Sequence, residues 1–207
     1  MAIPTSSYTN LRDKHGDQQT NLLDVISTSL LTVNASLASI HTSPIVASEN
    51  HIGEVGGNTI VVQVTPIVSL ATYTANDCVG GGFAIPGAVR VNAGTGVLQS
   101  ITLQDLSAKN AAMEIFLFKA TSLTTYTDNA ALDISDADLG NCIGWAEITA
   151  SDYKSLSDNS VACVRNLGLP IKSSPATKSL YCVMRTTGTP TYLGTVDLKL
   201  TFGILRD

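Results

Sequence analysis

The sequence predicts a mainly β chain: an antiparallel, jelly-roll-like sandwich of about eight strands, preceded by an extended N-terminal arm and one short helix. Three observations carry this. From residue 59 onward, short β-branched and apolar runs alternate with turns rich in Gly, Pro, Asn and Asp. Charged residues make up only 14% of the chain against 44% hydrophobic, which suits a Ser/Thr/Asn/Gly-rich β surface packed against neighbours. One stretch alone, "LLDVISTSLLTVNASLASI" (22–40), has a helical period.

The elements follow in order. Residues 1–20 are polar, with Pro4 and Gly16, and read as the extended arm. Residues 21–43 read as a helix, with Asp17 or Thr20–Asn21 as N-cap acceptors and Pro44 setting the end. Residues 44–58 are a linker broken at Gly56–Gly57, and 59–207 form the sandwich. Its strands are expected in 59–70, 78–85, 97–107, 111–120, 142–150, 161–167, 180–187 and 195–205. In 97–107, Leu98, Ser100 and Thr102 alternate with Val97, Gln99, Ile101 and Leu103; in the last run Val196, Leu198, Leu200 and Phe202 share a face. No further helical period interrupts the strands, which disfavours βαβ units. The three glycines of "CVGGGF" lie within a strand pattern, where they mark a bulge or a close backbone approach.

The helix is the first candidate for function. Leu23, Ile26, Leu30, Val33, Leu37 and Ile40 recur at alternating steps of three and four, the a/d spacing of a heptad. A helix closing onto its own domain shows a wider apolar face; a strict a/d seam suits a partner helix of its own kind. Leu at a (Leu23, Leu30, Leu37) with β-branched residues at d (Ile26, Val33, Ile40) shifts preference from two strands to three or four. The e and g positions Ser27, Asn34, Ser29 and Ser36 are uncharged, so no ion pairs enforce a dimer. A homotrimer with these six residues as its interface is expected, ahead of the alternative, a helix folded back onto its own sandwich.

Other chemistry is sparse. No GxSxG, HExxH, Walker or GxGxxG pattern occurs, and His15, His41 and His51 all lie before the strands, so no catalytic residue, cofactor or enzyme activity is expected. Cys78, Cys142, Cys163 and Cys182 are widely and irregularly spaced. Buried small hydrophobes fit best, ahead of a disulfide between distant strands or a metal site. Asp128, Asn129, Asp133, Asp136 and Asp138 could wrap a Ca²⁺, but the EF-hand order is absent; a solvated loop with turn-stabilising acceptors fits better, and no metal is expected. Trp145 reads as core; a glycan platform would draw on Tyr126–Asp128–Asn129 or Tyr192. The net charge of −5 and the lack of a basic stripe argue against nucleic acid. No membrane span and no secretory signal are seen, so synthesis in a cytoplasm is expected.

Within 59–207, "YTANDCVGGGFAI", "GTGVLQSITLQD", "AAMEIFLF", "TDNAAL", "SDAD", "LYCVMRTTGTPTY" and "DLKLTFGILRD" occur in order. This set resembles a family of tailed-bacteriophage virion proteins whose β-domains end in a D-L-x-L-x-x-G-x-L-x-D-like strand. Cys78 and Cys182 depart from it, standing where small apolar residues are expected. The resemblance implies a virion structural protein that decorates or cements a capsid, made in the host cytoplasm, with the major capsid protein or other virion proteins as partners. A tail, baseplate or head-fibre component with a host-glycan-binding sandwich is the alternative.

Overall fold

The computed structural model describes residues 24–38, 58–119 and 124–207. The chain divides at Val55–Gly56 into an N-terminal and a C-terminal unit. In the first, residues 24–38 form helix α1. Its hydroxyls bond back along the axis, Thr28 to the Asp24 carbonyl, Thr32 to that of Thr28 and Ser36 to that of Thr32, at 2.8–2.9 Å. Ser and Thr thereby satisfy themselves on the helix rather than competing with it. The predicted arm 1–20, the seam residues Leu23 and Ile40, and the linker up to 57 lie outside the described residues.

The second unit is a sandwich of two antiparallel sheets, with nine strands among the described residues. They are β1 (Asn58–Val64), β2 (Cys78–Ile85), β3 (Thr95–Asp105), β4 (Met113–Phe118), β5 (Cys142–Ile148), β6 (Tyr153–Ser155), β7 (Ser160–Lys172), β8 (Leu180–Thr186) and β9 (Leu198–Arg206). One sheet has the order β1-β9-β3-β7-β6, the other β2-β8-β4-β5. The pairs β1·β9, β2·β8, β3·β7 and β4·β5 are the rungs of a single antiparallel ribbon, doubled back between β4 and β5 and wrapped around the core. Contacts β3·β9 and β4·β8 close the wrap. This is jelly-roll topology, with β6 added at one edge.

Alternation places the core. Leu198, Leu200, Phe202 and Ile204 of β9 point inward and are at most 1% exposed. They meet Ile101 and Leu103 of β3, Met113, Ile115 and Leu117 of β4, and Met184 of β8 in one cluster spanning both sheets. Full burial of each such side chain contributes roughly 1.5–3 kcal/mol.

Several local expectations are corrected. Pro66 follows β1 closely, so the 59–70 run yields a strand only to Val64. Val196 precedes β9 and is 48% exposed; the core face continues through Ile204 instead. In β3 the register shifts between Leu98 and Ser100 against both neighbours, so Leu98 faces the core together with Ile101 and Leu103 rather than opposing them. Opposite the bulge sits Gly203, where a Cβ would crowd the Ser100 hydroxyl. β7 runs on to Lys172, past Gly168 and Pro170. The glycines of β2 fulfil both readings: the register skips between Val79 and Gly82, Gly80 and Gly81 have φ of 75° and 66°, and Pro66 packs where a Gly80 side chain would stand.

Candidate association surfaces

Two surfaces stand out, one in each unit. On α1, Ile26, Leu30, Val33 and Leu37 are 50%, 62%, 54% and 61% exposed on the single chain. These four are the described part of the predicted seam, on one face of a continuous helix. Val25 and Leu31, outside the seam, are exposed too. A helix of fifteen residues is near the length that is marginal alone in water, so packing of its apolar side chains would add to its stability.

The outer face of the four-stranded sheet is the second. Part of it is covered by residues 124–141, whose Tyr126, Leu132 and Ile134 pack on Cys78, Phe118 and Val183. Two carboxylates pin this cover. Asp128 accepts from the Tyr73 hydroxyl at 2.7 Å and from the Gly80 amide at 2.6 Å. Asp138, buried in the short helix α2 (Asp136–Leu139), accepts from the Tyr126 hydroxyl, the Thr124 amide and Ser135. Burial works to raise the Asp138 pKa, but these hydrogen bonds outweigh it and hold the carboxyl below its ordinary range. Burial first, and then the bond to Asp138, pushes Tyr126 up to about 12. Asp128 and Asp138 thus act as acceptors that tie loops down. Among the described residues no group of three His, Cys, Asp or Glu side chains could hold a metal ion.

Trp145 on β5 is 56% exposed, a correction to its reading as core. Ala146 and Ile148 take the inward positions of β5, which turns Trp145 and Glu147 outward. Trp145 lies directly across from Phe116, and the Arg185 guanidinium stands 5.6 Å over the Phe116 ring while pairing with Glu114. Tyr192, by contrast, is 2% exposed and packs edge-on against Tyr73 at 5.8 Å, so it offers no platform.

All four cysteines are free thiols: Cys78 and Cys182 buried, Cys142 and Cys163 partly so. Burial pushes Cys78 up to about 11 and raises Cys182 as well. A cleft of about 550 Å³ opens beside the β3–β4 turn, between Lys109, Asn110 and Thr187–Thr191, without a carboxylate or thiol in its lining. The three histidines lie outside the described residues.

No family model matches the chain. No curated protein matches it either. Among solved structures it is similar to one described as Desmodium yellow mottle tymovirus, at 12% identity and a TM-score of 0.27, over 73% of this chain and 88% of that one. A likeness that slight places no function.

Proposed function

We propose that this chain is a non-enzymatic structural component of a tailed-bacteriophage virion, decorating or cementing the capsid as a homotrimer. The observation that carries the reading is the row Ile26, Leu30, Val33 and Leu37, exposed along one face of α1 at heptad spacing. Heptad spacing of this kind suits burial against copies of the same helix. The jelly roll supplies a rigid body with few charges, and the motif set in 59–207 supports a virion setting. Each helix-joined subunit adds one weak contact to the shell; linking several makes later contacts intramolecular and raises overall hold without any new chemistry. The expected partners are other copies of this chain and the major capsid protein or other virion proteins. Quantitative mass spectrometry of purified particles tests this. Many copies per particle, found with heads and not with tails on fractionation, support decoration. Absence from particles contradicts it.

A second reading is favoured by one observation, the exposure of Trp145 across from Phe116, over whose ring Arg185 stands, with Glu147 on the same face of β5. An indole on an open sheet face with charged neighbours suits stacking on a sugar ring, the role expected of a host-glycan-binding tail, baseplate or head-fibre component. A glycan array compared with the Trp145→Ala variant decides it. Binding lost in the variant supports this reading, and no binding by the parent chain removes it.

A further inference from the structure

The sheet edges carry a contact of a different kind. Among the described residues, β1 and β6 are terminal in the five-stranded sheet, and β2 and β5 in the four-stranded one. An open edge presents unpaired N–H and C=O groups, and proteins blunt such edges with charge, irregularity or brevity. β6 is three residues long and carries Lys154. β2 is broken by its glycine bulge. β5 carries Glu147, and its register with β4 shifts next to Gly144. β1 has none of these devices. It reads NTIVVQV, seven residues without charge, proline or glycine, in unbroken register with β9.

β1 is also its own complement. Laid antiparallel against a second β1 with Val61 at the centre, Thr59 meets Gln63, Ile60 meets Val62, Asn58 meets Val64, and Val61 meets Val61. Thr59, Val61 and Gln63 are the exposed positions, with Val61 at 68%, while Ile60 and Val62 face the core side. The centred register therefore sets polar on polar and apolar on apolar across the outer face. A one-residue slip would oppose outer to inner positions, and a two-residue slip would set Val61 against Thr59 or Gln63.

We propose that the free edge of β1 pairs with β1 of a second copy of this chain, on a two-fold axis at Val61, fusing two five-stranded sheets into one. The contact is isologous, so it closes on itself. It does not rest on association through α1. In a chain that has both, the two-fold links assemblies that the helix has already built.

The test uses the full chain with Val61→Lys, Val61→Glu and Val61→Cys. Position 61 is exposed, and circular dichroism shows whether each variant keeps its strands. In sedimentation velocity at low salt, Val61→Lys and Val61→Glu should each lose the largest species of the parent, because like charges meet on the axis. An equimolar mixture of the two should restore it, since only a β1–β1 contact brings these positions together. Mild oxidation of Val61→Cys should give a disulfide between position 61 of two chains, identified by peptide mass. Unchanged sedimentation of the folded charge variants, or a mixture that restores nothing, overturns the proposal. If the charge variants do not fold, the disulfide decides alone, and its absence overturns the proposal.

Discussion

The Tyr73 hydroxyl donates to the Asp128 carboxylate across 2.7 Å, and the same carboxylate oxygen takes the Gly80 amide at 2.6 Å. One side chain thereby joins the β1–β2 loop, the glycine bulge of β2 and the cover over the outer sheet. Hydrogen bonds to a charged group are worth roughly 1.5–3 kcal/mol each. Asp128→Ala should destabilise the sandwich by about that amount and loosen residues 124–141. Chemical denaturation measures the first effect, and faster labelling of Cys78, which those residues cover, measures the second.

Thiol labelling of the parent chain should proceed in two classes. Cys142 and Cys163, partly exposed, should react under native conditions, while Cys78 and Cys182 should wait for opening of the sandwich. Burial raises Cys78 to about 11, so folding favours its protonated form. The corresponding stability is present below the unfolded thiol value of about 8.5 and is lost as pH climbs from there through the folded value. Cys78→Ala, which cannot ionise, should flatten that part of the alkaline stability profile.

Acid acts through Asp138, whose folded pKa is depressed. Its contribution is present above the unfolded value of about 3.9 and is lost as pH falls through the lower folded value. Loosening of residues 124–141 should therefore set in below about pH 4. Asp138→Asn should be loose already at neutral pH and show a weaker acid step in amide hydrogen exchange.

The β3 bulge predicts a specific coupling. A side chain at Gly203 meets the Ser100 hydroxyl, so Gly203→Ala should cost about 1–3 kcal/mol, the usual range for overpacking. Ser100→Ala removes the obstructing oxygen, and the double variant should recover much of the loss. A double-mutant cycle by denaturation measures this, and strict additivity would remove the bulge from the explanation.

That bulge also shows where reading the sequence stops. Period-two runs locate β2 through β5 and β8 within a few residues, because a half-buried strand must alternate. Alternation cannot reveal where the phase jumps: Leu98 and Ile101 share a face only because an extra residue is inserted between them. Trp145 was legible through parity, since it shares its face with Glu147 and opposes Ala146 and Ile148, but indole hydrophobicity points the other way. β6 and α2 are three and four residues long, below any period, and tertiary pairing alone defines them. Gly168 and Pro170 look like a turn, yet β7 continues through them at the edge of the five-stranded sheet beyond β6. Helical period located α1 over residues 24–38; all of these residues are exposed, so burial does not single out the face of Ile26, Leu30, Val33 and Leu37, and that seam rests on its spacing.

Multi-angle light scattering on the full chain and on a Leu30→Asp, Leu37→Asp double variant tests the central claim most directly. Both positions are exposed on α1, so the sandwich should fold in either protein. A parent assembly built in multiples of three subunits, and a double variant reduced to single chains or β1-linked pairs, are the predicted result. A monomeric parent, or a double variant with an unchanged assembly, would contradict the account.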